Sequence, residues 1–274
     1  MQRPTTAADL QRAVQQQGSR RFARTLERDV PRFVMSLHGP PGSGKTTFAA
    51  NAPGPVGYQG IDFGHEGVID PFLDRDHLIF SEYMKPSRMK RKGEDNKKYA
   101  ERLTLDADAV WQDWDSDFQA LLTAGARSIV WDTADEIFET LTLALHGRTE
   151  KIMPRDRGQL YQLYSSRIRE VLNRKDINLL LVHRSKEVWT NDKPTGKFAA
   201  KGYSDTNYLA QVELEFSKDT IRKGAGFQTT MYATIRKCRV NRDLEGHVFP
   251  DPTFFDVAAF IKPEVDPENW ICDC

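Results

Sequence analysis

Short apolar runs separated by longer amphipathic stretches dominate the chain from residue 32 onward. Several runs are apolar at consecutive positions, which is typical of strands buried on both faces of a parallel sheet. The stretch after Val110 instead repeats its apolar side chains at helical spacing and ends at Gly125, which favours a helix with a glycine cap. The predicted strands are 32–37, 56–61, 77–83, 128–132 and 178–182, and the predicted helices cover 45–51, 110–122 and 157–174.

Two later segments, residues 208–216 and 229–240, alternate apolar and polar side chains as the strands of an antiparallel hairpin do. Before them, residues 184–203 are rich in lysine and glycine and are predicted to form a loop. Strands alternating with helices indicate an α/β fold with a mainly parallel sheet flanked by helices and a C-terminal antiparallel β-hairpin. The predicted organisation is a helical arm at 1–31, one domain at 32–250 and a C-terminal tail at 251–274.

The net charge of the chain limits how it could bind a nucleic acid. Lysine plus arginine number 39 and aspartate plus glutamate number 39 in 274 residues, so the formal net charge is zero. A globally basic nucleic-acid binder is therefore excluded, and any nucleic acid must be held by local basic segments. The sequence has no apolar run of roughly 18 residues, no signal-peptide core and only three cysteines. We expect a cytoplasmic chain, in the host cytoplasm if it is viral, with no membrane partner.

The strongest chemical signal is the sequence GPPGSGKT at 39–46, which satisfies the phosphate-loop pattern G-x-x-x-x-G-K-[ST] completely. Its glycines let the backbone wrap a phosphate so that N–H groups point inward. Lys45 is expected to reach the β- and γ-phosphates and Thr46 to ligate Mg²⁺. The predicted cofactors are ATP and Mg²⁺, although these residues do not separate ATP from GTP. The predicted phosphate-binding residues are Gly39, Pro40, Pro41, Gly42, Ser43, Gly44, Lys45, Thr46 and Thr47.

Three further carboxylates are candidates for the same site. Asp132 ends an apolar strand, which is what a Walker B aspartate near magnesium requires. Small nucleotide kinases usually place that strand beside the phosphate-loop strand, whereas additional-strand ATPases insert a strand between the two. The intervening strand at 77–83 favours the second class. Such ATPases carry a carboxylate that polarises water, and the turn after the second strand offers Glu66 as first choice and Asp62 as second.

Together with a late strand that carries Lys237 and Arg239, these motifs resemble the core of RecA-like ATPases over residues 32–245. The chain is similar in particular to compact phage-encoded members, some of which anneal single strands of DNA. The resemblance implies a ring or filament of identical subunits with ATP between them. It also implies that His183 reads the γ-phosphate and that Lys237 and Arg239 reach a neighbouring subunit's nucleotide. The two carboxylates of the acidic turn are further apart than is expected in the recombinases.

In RecA-like proteins, the segments after two of the central strands hold single-stranded DNA, and residues 146–157 and 184–203 correspond to them. The second segment interleaves basic residues with Trp189, Phe198 and Tyr203, which suits backbone tracking and base stacking. The basic cluster at 85–98 is either a second DNA contact or a solubilising loop. The predicted DNA-binding residues are Arg184, Lys186, Lys193, Lys197 and Lys201.

These features predict an ATP-hydrolysing RecA-like protein that binds single-stranded DNA for annealing, recombination or repair in phage replication, with hydrolysis stimulated by DNA. Two alternatives remain open at the level of sequence. One is a phosphate-loop kinase of nucleosides or nucleotides, in which the basic segment at 184–203 is a substrate lid. The other is a nucleotide-gated loader or adaptor for a replication protein.

Overall fold

The computed structural model describes residues 32–73, 77–150, 152–174, 176–223, 226–266, 268 and 270. The predicted arm at 1–31, the side chain of Lys197, and the cysteines Cys272 and Cys274 lie outside this part of the chain. Within it, no helix combines the length and apolar character needed to cross a membrane.

The described residues alternate strands and helices up to Asn173 and then form mainly strands. The strands are β1 (Val34–Gly39), β2 (Val56–Gly60), β3 (Leu78–Glu82), β4 (Ser128–Asp132), β5 (Asn178–Thr190), β6 (Lys193–Ala200), β7 (Val212–Lys223), β8 (Gly226–Cys238) and β9 (Val248–Pro250). The helices are α1 (Lys45–Ala50), α2 (Asp70–Leu73), α3 (Asn96–Ala124), α4 (Ala134–His146), α5 (Arg157–Asn173), α6 (Thr206–Leu209) and α7 (Phe254–Ile261).

These strands form a nine-stranded sheet in the order β3-β2-β4-β5-β1-β7-β8-β9, with β6 paired to β5. The strands from β3 to β7 along this order are parallel, and β6, β8 and β9 are antiparallel to their neighbours. The mainly parallel α/β fold and its late hairpin are therefore observed. In this order β5 lies between β1 and β4 and separates the strand of the phosphate loop from the strand of Asp132. The predicted strand at 77–83, which favoured this arrangement in the sequence, is instead β3 at the edge of the sheet.

Both faces of the sheet are covered, which explains why its central strands are continuously apolar. On one face, Met35 and Leu180 pack against α1 and α7. On the other, Trp131 is fully buried among α3 and α5, with ring centroids 4.8 Å from Trp114 and 5.8 Å from Tyr164. Part of the predicted tail at 251–274 forms α7 and belongs to this core.

The structure corrects the prediction of a loop at 184–203. Strand β5 runs on past the sheet to Thr190, turns at Asn191 and Asp192, and returns as β6. The two strands form an antiparallel ribbon, which we call the β5–β6 ribbon. Its glycine and lysine content predicted a loop, but antiparallel backbone pairing from Ser185 with Ala200 to Thr190 with Lys193 forms an exposed ribbon instead. Helix α4 was not predicted from the sequence.

Candidate functional site

The phosphate loop connects the carboxyl end of β1 to the start of α1. Gly42 and Gly44 have φ angles of 67° and 88°, in the left-handed region where a glycine avoids the strain of a side chain. The Ser43 hydroxyl donates to the Pro40 carbonyl at 2.8 Å and so fixes the bend of the loop. Backbone N–H groups in such a bend can converge on an anion.

Lys45 lies over this loop. Its Nζ donates to the carbonyl oxygens of Gly39 at 2.9 Å and Pro40 at 2.8 Å. Burial lowers the pKa of Lys45, and the carboxylate of Asp132 opposes that shift. The ammonium group is thus held within the loop that the motif predicted.

Asp132 is almost fully buried at the end of β4. Its Oδ2 accepts a hydrogen bond from the Thr46 hydroxyl at 2.8 Å and a second, short one from the Tyr58 hydroxyl on β2. Burial raises the pKa of Asp132, and the hydrogen bond from Tyr58 opposes the rise. Sequence reasoning missed Tyr58, because a tyrosine in an apolar strand gives no signal beyond core packing.

The pair formed by Thr46 and Asp132 fits a magnesium ion. Within the described ranges, no three His, Cys, Asp or Glu side chains gather into a complete metal site. Mg²⁺ characteristically uses one or two protein oxygens together with water and substrate phosphates, so a hydroxyl and a carboxylate 2.8 Å apart are a suitable donor set.

A cavity of about 760 Å³ opens beside the loop, a size within the range of small-molecule sites. Asp62, at the end of β2, lines it, whereas Glu66 is exposed and is not among its lining residues. The structure therefore brings the second choice of carboxylate to the phosphate loop and leaves the first choice outside. The lining residues are Gly39, Pro40, Pro41, Gly42, Lys45, Thr46, Asp62, Gly64, Asp132, Thr133, Arg184, Ser185, Phe198, Glu215, Phe216 and Ser217.

His183 and Arg184 follow one another on β5 but face different surroundings. His183 is fully buried, with Nδ1 2.9 Å from the Lys201 carbonyl oxygen, and burial lowers its pKa to about 4. It does not line the cavity, but Arg184 does. The guanidinium of Arg184 pairs with two carboxylates of α4. Its Nε donates to Asp135 Oδ2 at 2.7 Å, and its Nη2 makes a short contact with Glu136 Oε1. Arg184, which the sequence predicted to bind DNA, therefore lines the cavity beside the phosphate loop.

Lys237 and Arg239 do not line the cavity, and they lie level with the middle and the start of β1 rather than with its carboxyl end. Lys237 pairs in register with Glu213, which in turn pairs with Ser36 in the middle of β1. Lys237 donates to the Ala210 carbonyl at 2.9 Å, and Arg239 lies over the Tyr208 ring at 5.1 Å. Within one chain neither residue approaches the cavity, so their role toward a neighbouring subunit stays a prediction.

The β5–β6 ribbon presents two exposed aromatic rings. Trp189 is 60% exposed and Phe198 is 51% exposed, while Phe198 also lines the cavity. Tyr203 is instead buried against Tyr161 and Tyr164, so it cannot stack on a base as predicted. The ribbon also carries Lys186 and Lys193, and Lys201 follows directly after the end of β6.

The basic cluster at 85–98 forms ion pairs with helix α4. Lys85 lies 3.2 Å from Glu136, and Arg88 lies 2.9 Å from Glu139. These ion pairs engage two of its cations within the chain, and residues 96–98 of the cluster belong to α3.

Comparison with known proteins finds a distant similarity, which is to a solved structure. No family model and no curated protein matches the chain. Among solved structures, the chain is similar to the RadB recombinase, with 16% sequence identity and a TM-score of 0.41 over 81% of this chain and 87% of that one. Because the likeness is so distant, the assignment of function depends on the chain's own residues.

Proposed function

We propose that this protein is a RecA-like, magnesium-dependent ATPase that binds single-stranded DNA and is stimulated by it. The proposal is supported mainly by one observation, which is that a residue of the β5–β6 ribbon also lines the cavity beside the phosphate loop. Phe198 lines the cavity that holds Lys45, Thr46 and Asp132, yet half of its side chain is exposed on the ribbon. This exposure supports a contact of one ring with both a nucleotide and a nucleic acid.

The strand order supports hydrolysis over phosphate transfer to a small acceptor. Strand β5 separates β1 from β4, as expected of additional-strand ATPases and unlike most small nucleotide kinases. The segment that a kinase would use as a lid is here a paired ribbon that continues a central strand. The ATPase is therefore favoured over the kinase.

In the proposed reaction, water attacks the γ-phosphorus and ATP gives ADP, inorganic phosphate and a proton. Asp62 accepts the proton of that water, and Lys45 and Arg184 stabilise the charge that develops on the phosphate oxygens. Thr46 and Asp132 would hold Mg²⁺, which when bound offsets charge on the β- and γ-phosphate oxygens. Asp135 positions Arg184 through its hydrogen bonds to the backbone and guanidinium.

The ribbon supports DNA binding through its chemistry. Trp189 and Phe198 can stack on bases without reading sequence, and Lys186 and Lys193 on the ribbon, with Lys201 just after it, can track the phosphates. Assembly into a ring or filament, and a role in phage annealing or recombination, remain part of the proposal and follow from the resemblance.

Intrinsic fluorescence tests the DNA site directly. Four of the five tryptophans, at 111, 114, 131 and 270, are buried, so Trp189 alone is placed to stack on a base. Single-stranded DNA should quench its emission, and Trp189→Phe should lose the quenching while keeping DNA affinity by anisotropy. Trp189→Ala should weaken that affinity by about 1–3 kcal/mol. Unchanged affinity in Trp189→Ala, with no quenching in the native chain, would remove the ribbon as the DNA site.

A further inference from the structure

The β7–β8 hairpin extends across the phosphate loop. Strand β7 pairs with β1 only from Val212 to Glu215, and from Phe216 to Lys223 it pairs with β8 alone. The hairpin therefore runs on past the carboxyl end of β1, where the loop begins. Met231 on β8 would lie 3.4 Å from a Cβ added to Gly44, so the hairpin closely covers the loop.

Lys218 on this hairpin points at the loop. Its Nζ lies 3.4 Å from the Pro41 carbonyl oxygen and would lie 3.2 Å from a Cβ on Gly42. Lys45 contacts the carbonyls of Gly39 and Pro40, so two ammonium groups lie on three successive carbonyl oxygens of the phosphate loop. Lys218 is exposed, and its long side chain can follow a ligand at modest cost.

We propose that Lys218 is a second lysine for the phosphate chain, supplied by the hairpin from outside the phosphate-loop motif. The inference rests on the proposed function, because it takes a nucleoside triphosphate as the ligand of the loop. A triphosphate carries several negative charges, and an ammonium group at the Pro41–Gly42 bend is complementary to them. Lys218 is a binding and positioning residue, and Lys45 keeps its own role.

Calorimetric titration of ATP and of inorganic tripolyphosphate tests this assignment. Lys218→Met keeps the aliphatic stem and removes the charge, and it should weaken both ligands by roughly tenfold. Lys218→Arg should recover most of the loss, and the loss should shrink as salt is raised. The matched control is Lys223→Met on the same strand, since Lys223 lies on the other face of the hairpin and bonds Gln228 at 3.1 Å. This control should bind within twofold of the native chain.

Three outcomes would overturn the inference. The first is native affinity of Lys218→Met for both ligands. If Lys45→Ala loses binding in the same titration, the phosphate loop is still shown to be the nucleotide site. Weakened ATP binding with unchanged tripolyphosphate binding would assign Lys218 to the nucleoside or to packing. Absence of binding by the native chain would remove the proposed function together with the inference.

Discussion

Replacing Asp62 by asparagine tests which carboxylate activates water. Asp62 lines the cavity beside Lys45, and its Oδ1 accepts a hydrogen bond from the Gly64 N–H at 3.3 Å. Asparagine keeps that acceptor and therefore the turn, but it removes the negative charge and the ability to accept a proton. The change is thus confined to the chemistry that we assign to this group.

The size of the effect follows from that assignment. A positioned general base contributes about 10²–10⁴-fold, so turnover should fall at least 100-fold, or about 2.7 kcal/mol of activation free energy. Affinity for ATP should hold or rise, because a negative charge is removed from beside the phosphates. A fall in kcat without a rise in KM is the expected signature.

Single-turnover hydrolysis and equilibrium binding of ATP measure the two quantities separately. The matched control is Glu66→Gln, since Glu66 follows Asp62 in the same turn but is exposed and outside the cavity. It should hydrolyse ATP within about twofold of the native rate, as surface substitutions generally have small effects. Loss of hydrolysis in Glu66→Gln together with retained hydrolysis in Asp62→Asn would refute the role of Asp62 as the base.

Three further changes have distinct outcomes. Tyr58→Phe removes a hydrogen bond to buried Asp132, so the free energy of unfolding in chemical denaturation should fall by about 1–3 kcal/mol; an unchanged value would contradict this contact. Burial lowers the pKa of His183 to about 4, so the unfolded chain binds a proton at this residue more readily than the folded chain does. His183 therefore reduces the free energy of unfolding as the pH falls from about 6.5 to 4. His183→Gln should therefore flatten the loss of stability over that range, and an equal slope in both proteins would count against it. Phe198→Ala should weaken ATP binding only modestly but lose most of the stimulation by DNA, and full stimulation would remove its coupling role.

Each part of the site that was predictable carries a signal in its own short stretch of sequence. The phosphate loop and its lysine occupy consecutive positions, and Asp132 ends a strand whose apolar run is itself a local signal. The mainly parallel sheet followed from the same runs, because strands covered on both faces carry few polar residues.

The rest depended on tertiary geometry. Only the turn after β2 decides that Asp62 enters the cavity and that Glu66 does not. The contact between Lys218 and Pro41 joins residues 177 positions apart, which no local pattern reveals. The exposed β5–β6 ribbon has no apolar face to mark it as a pair of strands, so its composition predicted a loop.

The central claim is that this chain hydrolyses ATP in response to single-stranded DNA. Its most direct test is the rate of ATP hydrolysis with and without single-stranded DNA at two salt concentrations, with Lys45→Ala as the blank. We predict stimulation that weakens at the higher salt, because single-strand affinity falls with a log–log slope of about −0.7 per phosphate contact. A rate that DNA does not change, or one that Lys45→Ala retains, would contradict the account.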